Sequence, residues 1–489
     1  MTRCLSFAAV VASLVFAASA SQAAVSVKLS PGTAHPKASV AVSGSGFTAS
    51  EAVDIYFDTT DILLAFTGST GSFSGLNFTV PAGALPGKHF ITAIGRKAGD
   101  GTQIAMTVST AWAEHGFDTR GKRTNPYENV LSSGKVSSLD VAWTATTGST
   151  IISSPAVANG VTYVGSADLK LYAFKATTGT QLWTAATAGS ILSSPAVAGG
   201  IVYVGSTDDN LYAYNATTGV RLWNEPTGGR IFASSPVVAG GVVYVGSGDD
   251  KLYAFNATSG AQLWTGTTGS VIRSSPAVAG GVVYVGSEDD KLYAFNATTG
   301  AQLWTAATGG SIDSSPAVAD GVVYVGSADG KLYAFNAATN AQLWTAPTGS
   351  VISSSPAVAG GVVYVGSNDK NLYAVNARDG TQLWTATTGA AIASSPAVAD
   401  GVVYVGSEDG NLYAFNAATG AQLWAATTGN SIGQSSPSVA DGMVYVGSTD
   451  HNVYAFALNA GANPAYRRNA QAPSRWMLHP DWRLKPARQ

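Results

Sequence analysis

Cysteine is nearly missing from this sequence: the 489 residues hold one, Cys4, and it precedes the first apolar run. Removal of that segment would leave no thiol, which excludes disulfides, thiolate metal sites and a cysteine nucleophile together. Charge is sparse as well. Asp, Glu, Lys and Arg make up 11% of the chain, the formal net charge is −3, and no basic stripe runs through the body, so the long-range attraction that nucleic-acid binders need is lacking. The five histidines, His35, His89, His115, His451 and His479, are scattered without metal-ligand spacing, and no nucleophile, base and orienting acid can be picked out. His451, next to a turn aspartate, reads as a turn substitution. Beyond residue 18 no stretch approaches the roughly 18 apolar residues needed to cross a bilayer, so no transmembrane segment is expected.

The apolar run at residues 5–18, with Arg3 before it and ASASQAA after it, reads as a secretory signal peptide, with cleavage expected after Ala23 or, second, Ala20. Cys4 lies on the wrong side of the run to be an acylated lipoprotein cysteine. The mature chain is therefore expected to be soluble, monomeric, and either periplasmic or secreted to the cell surface.

What the sequence has in abundance is repetition. A tract of about 40 residues, SSPAVAGGVVYVGSxDxKLYAFNATTGAQLWTAxTG, recurs eight times between residues 151 and 456. Its SSP triplets end at Pro155, Pro195, Pro236, Pro276, Pro316, Pro356, Pro396 and Pro437, a step of 40 or 41 throughout. Such a period marks an array of equal supersecondary units. Each unit divides into four β runs, SSPAVA, VVYVGS, KLYAFNA and AQLWTA. The first two are joined by NG, GG or DG pairs, which accept positive φ at both turn positions. Within the runs the apolar residues are nearly continuous, so both faces of each sheet must be covered. A ring of eight four-stranded sheets, a β-propeller, meets that demand and protects the sheet edges. The fold class is all-β.

The frame also predicts how the ring closes. An AWTATTG strand around Trp143 precedes the first SSP triplet, while the last copy stops near Phe456, so the early strand completes the eighth blade. Eight tryptophans mark the outer strands: Trp143, Trp183, Trp223, Trp264, Trp304, Trp344, Trp384 and Trp424.

Other segments flank the array. Residues 25–110 read as a small immunoglobulin-like β-sandwich of six or seven short strands, and the segments SGSGFTASEAVDIYFD and VPAGALPGKHFITAIG resemble bacterial immunoglobulin-like modules, which implies a spacer or adhesion role. Residues 111–138 form a polar connector with too many rings, Trp112, Phe117 and Tyr127, for a free linker, and it is expected to pack on the propeller, which spans 139–457. A basic tail at 458–489 carries Arg467, Arg468, Arg475, Arg483, Lys485 and Arg488 and is expected to act as a strap.

The stretch AFNATSGAQLW at residues 254–264 resembles the tryptophan-docking motif of the pyrroloquinoline quinone (PQQ) repeat family, and it recurs around the ring. The resemblance implies that each tryptophan packs between blades and that the glycine permits the turn before the outer strand. WD repeats share the period, but neither a GH pair nor a terminal WD dipeptide stands in register. In quinoprotein dehydrogenases the resemblance further implies an adjacent-cysteine disulfide over the cofactor, calcium or lanthanide ligands and an Asp base. The cysteines are lacking here, and no blade carries a distinct insertion with such ligands, so no cofactor is expected, with PQQ kept as the alternative. Non-enzymatic relatives, including the periplasmic lipoprotein BamB of the β-barrel assembly machinery, share the eight-bladed form.

Two sets of positions are candidates for contact. An aspartate follows each GS by two residues, from Asp168 to Asp450, and is read as a turn acceptor ahead of a metal ligand. The residue before each SSP varies while its surroundings do not: Ile152, Leu192, Ala233, Arg273, Asp313, Ser353, Ala393 and Gln434. These open the innermost strands and should face the channel mouth, where Arg273, Asp313, Ser353 and Gln434 are the candidate polar contacts, Arg273 and Asp313 as an ion pair or ligand pair on adjacent blades. No catalytic or metal-binding residue is assigned. The function expected is a non-catalytic protein-binding or assembly scaffold with envelope or extracellular proteins, or polysaccharide, as partners. The alternatives are a PQQ-dependent oxidoreductase and a surface adhesin.

Overall fold

In the computed structural model, residues 24–459 are described. The expected signal peptide and all but the first two residues of the basic tail lie outside them. The chain falls into two compact units, the first comprising residues 24–34, 38–79 and 88–106. That unit is built on a three-stranded sheet (Ser26–Ser30, Ser39–Ser45, Phe73–Thr79) and a five-stranded sheet around Ala52–Phe57 and Gly87–Gly95. Alternating buried valines and isoleucines, such as Val53 and Ile55, supply its core. Among the described residues, no helix is long and apolar enough to cross a membrane.

The second unit is an eight-bladed β-propeller. Its first blade runs Ala156–Ala158, Val161–Ser166, Lys170–Lys175 and Gln181–Ala186, strands a to d from the axis outward, each antiparallel to the last. The next six repeat it. Both central strands are buried on both faces, which is why VVYVG and LYAF are continuous apolar runs instead of alternating ones. Positive φ at Asn159 (51°) and Gly160 (74°) makes the first a–b hairpin turn, as NG pairs allow.

The eighth blade joins the two ends of the repeat array. Strands Ser438–Ala440, Met443–Gly447 and Asn452–Leu458 are completed by Leu139–Thr146, which pairs Thr144 with Tyr454. Trp424 Nε1 of the seventh blade donates to Leu139 O at the start of this closing strand, at 2.9 Å.

Three repeated contacts hold neighbouring blades together. Each outer-strand tryptophan donates its Nε1 hydrogen to a backbone carbonyl of the next blade, from Trp143 to Ala176 O through Trp384 to Ala417 O, at 2.8 to 3.3 Å. Where the next blade has a glycine at this turn, the ring covers it: a Cβ on Gly300 would stand 2.6 Å from Trp264. The glycine therefore serves both its positive φ (72°) and the ring packed on it. The glycine that follows YV leaves room for an isoleucine of the next blade, with a Cβ on Gly286 only 2.2 Å from Ile312 Cγ2. The third contact is a ring of serines.

Candidate functional site: the axial channel and its strap

The SSP triplets do not extend the inner strand. Only the AVA that follows them forms ladder bonds, and the two serines do other work. The first ties strand a to strand b, as Ser314 Oγ accepts Gly326 N at 3.1 Å. The second ties blade to blade: Ser154 N donates to Ser194 Oγ, Ser194 N to Ser235 Oγ, and so on until Ser436 N donates to Ser154 Oγ, eight bonds of 2.9 to 3.0 Å in a closed ring. Proline next in line withdraws its own donor from the competition.

Beneath this collar the channel is closed by the connector. The segment enters where Thr110 N donates to Asp441 on the last a–b hairpin (2.6 Å) and then circles the axis. Trp112 exchanges two backbone bonds with Val157, and Val197 N donates to Ala113 O. Val238 N reaches Glu114 Oε2 at 3.4 Å. Val278, Val318, Val358 and Val398 donate in turn to the carbonyls of Thr119, Arg120, Lys122 and Arg123, and Asn125 Nδ2 donates to Val439 O. These valines hold the free edges of the innermost strands. One strap thus satisfies an edge that eight blades would otherwise leave open at the axis.

The strap carries a buried polar group. Arg123 is 1% exposed, and its Nη2 donates to His115 Nε2. His115 Nδ1 lies 3.2 Å from Ser194 Oγ in the collar. Burial, and then the Arg123 charge, drive the imidazole pKa well below its ordinary value, so the ring is neutral. With Arg123 donating to Nε2, the ring hydrogen is assigned to Nδ1. Burial also lowers Arg123, to about 9, and pushes Glu114 up to about 8, opposed by the Val238 amide. Glu114 and His115 keep some accessible surface yet are walled by protein.

The axial cavity, about 130 Å³, is lined by His115, by the collar serines and, above them, by the variable ring. Arg273, Asp313, Ser353 and Gln434 all face it, as do Ile152, Leu192, Ala233 and Ala393. The expected Arg273–Asp313 ion pair does not form. Arg273 instead pairs with Glu288, in the b–c turn of its own blade, which reaches the guanidinium more directly than the carboxylate one blade on. Burial, then the Glu288 charge, raises the Asp313 carboxyl, with Arg273 opposing. The guanidinium also lies over Phe232 (5.2 Å to the centroid), which Arg230 approaches from its own side (5.9 Å). Phe232 is the extra residue of a 41-residue step. That longer step was the one sign of it in the sequence.

The aspartate turns close on themselves. Each carboxylate accepts the hydroxyl of the tyrosine four residues on, at 2.5 to 2.8 Å, from Tyr172 on Asp168 to Tyr454 on Asp450. Asp369 Oδ2 also takes Gly349 N at 2.7 Å. Burial pushes these carboxyls up, but the hydroxyl and neighbouring donors outweigh it, and Asp249, Asp329, Asp369 and Asp409 titrate below the ordinary range. Among the described residues, no group of three or more His, Cys, Asp or Glu is placed to hold a metal ion. Pockets that bury a drug-sized ligand run about 300 to 1,000 Å³. The axial cavity, about 130 Å³ and lined by the collar hydroxyls, His115, Arg273, Asp313 and Gln434, is smaller than such pockets, and among its lining residues Asp313 is the one carboxylate that a metal beside a quinone could use.

The family model described as outer membrane protein assembly factor BamB matches residues 132–234, 225–312, 292–393 and 369–475. No curated protein matches the chain. Among solved structures, BamB from Moraxella catarrhalis is 20% identical, with a TM-score of 0.57 over 65% of this chain and 99% of that one. Quinohemoprotein alcohol dehydrogenase from Comamonas testosteroni is 17% identical, with a TM-score of 0.63 over 72% of this chain and 81% of its own. A europium-containing methanol dehydrogenase is 14% identical, with a TM-score of 0.62 over 71% of this chain and 98% of its own. At these identities the likeness is one of fold.

Proposed function

Because this chain belongs to the family of outer membrane protein assembly factor BamB, we propose that it is an exported, non-catalytic protein-binding scaffold of the cell envelope. The immunoglobulin-like front unit is read as its spacer. The observation that carries the reading is the cluster at the channel mouth. Arg230 and Arg273 flank Phe232, with Glu288 and Asp313 beside them, on a ring that is otherwise built from near-identical copies. Aromatic and arginine side chains are the residues that anchor protein interfaces. A rigid ring that breaks its symmetry at such a cluster gives one partner one place to bind.

Photo-crosslinking in envelope extracts tests this. A benzophenone side chain in place of Phe232 is expected to capture a discrete protein, while the same group in place of Leu303, half-exposed on an outer strand, captures none. Equal labelling from both positions would overturn the proposal. Stoichiometric PQQ binding with dye-linked alcohol oxidation would overturn it in favour of an oxidoreductase, and a strong glycan-array signal would favour an adhesin.

A further inference from the structure

Five hydroxyl donors of the collar find no protein acceptor among the described residues. Each second-position serine uses its Oγ to accept an amide hydrogen from the neighbouring blade, which leaves its own hydroxyl hydrogen to find an acceptor. Among the described residues, no protein acceptor takes the hydroxyl hydrogens of Ser235, Ser275, Ser315, Ser355 or Ser395, although all five line the axial cavity and four of them are at most 5% exposed. Buried donors in native proteins are satisfied, so these five hydrogens call for an acceptor inside the channel.

The charge of that acceptor follows from the floor. His115 presents Nδ1 toward the collar, and its far nitrogen is held by Arg123, a buried guanidinium with no carboxylate partner among the described residues and with Nη1 unpaired. A cation on the axis would face that charge across one neutral ring. An anion is attracted by it, and convergent neutral donors with one cation set behind them are the usual chemistry of oxyanion recognition. At the mouth Arg230 and Arg273 add positive charge, against Glu288 and Asp313.

The geometry points to an oxyanion site on the propeller axis: the serine collar binds one small oxyanion, either a free ion or the anionic end of a ligand whose remainder sits at the mouth. The inference is independent of the protein-binding role. Calorimetric titration of the full chain with inorganic phosphate, sulfate, acetate and glycerol 3-phosphate, in a buffer of bulky organic ions, tests it. One ion is expected to bind saturably, and glycerol 3-phosphate binding more tightly than phosphate identifies the larger ligand as the source. Ser315→Ala with Ser355→Ala removes two donors and should weaken binding by about tenfold or more. Those changes also take acceptors from two amides, so Ser353→Trp, which caps the mouth without touching the collar, serves as the second variant and should abolish binding in a folded protein. Lack of saturable binding by any of the four anions, affinity unchanged in both variants, or a preference for potassium or calcium would each overturn the assignment.

Discussion

At the scale of single residues, the uniformity of the repeat records contacts between neighbours. Gly286 is glycine because Ile312 of the next blade fills the space of a side chain. Gly286→Ala should therefore cost about 1 to 3 kcal/mol in urea unfolding, whereas Gly134→Ala, where nothing lies within 4 Å, should change stability by no more than about 0.5 kcal/mol. The titrating groups pull in opposite directions. Turn aspartates such as Asp329 have folded pKa values below the unfolded one, so their contribution is present above about pH 4 and is lost as pH falls through the folded value. Glu114 runs the other way. Its folded pKa of about 8 exceeds the unfolded value, so stability from its neutral form is complete below about pH 4 and fades as pH rises toward 8. Thermal midpoints measured between these limits should fall with pH in the parent and level off in Glu114→Gln, while Asp329→Asn should lessen the loss on the acid side. The turn role of the aspartates could be read from their place beside each GS. The Tyr four residues on could not be assigned as the partner, because both residues repeat and a repeat does not say which member of one copy meets which member of another.

Among elements, the strap at residues 110–125 is the part that sequence reasoning left least defined. The rings of the connector, Trp112 and Phe117 within the strap and Tyr127 just after it, were a sign of packing, and Trp112 is fully buried, but the strap's course round the axis was not visible. Backbone hydrogen bonds to inner-strand edges make few demands on side chains, so a strap of this kind leaves little pattern. Asn125 is an exception, since its buried amide donates to both Thr110 O and Val439 O at 2.8 Å. Asn125→Ala should cost about 1 to 3 kcal/mol by leaving those carbonyls unpaired, as read by chemical denaturation. Hydrogen exchange gives a second measure: the amides of Val278, Val318 and Val358 should be among the slowest in the chain, although each belongs to an edge strand.

For the whole molecule, closure is the decisive event, since the seam between Leu139–Thr146 and Asn452–Leu458 joins residues some 300 positions apart. The chain has no cysteine after Cys4, so a pair introduced at Thr144 and Tyr454, opposite one another in that seam, meets no competing thiol in residues 5–489. Oxidation should raise its thermal midpoint more than oxidation of an equivalent pair at Tyr293 and Thr305 within one blade, because the longer loop removes more unfolded-state entropy. The sequence by itself determined the blades, their number and the strand that closes them, because period, turn pairs and continuous apolar runs are local properties that each copy states again. Only the tertiary structure decided what stands on the axis. The serine collar, the strap beneath it and the pairing of Arg273 with Glu288 in place of Asp313 depend on where eight edges converge, and that convergence is a property of the closed ring rather than of any one repeat.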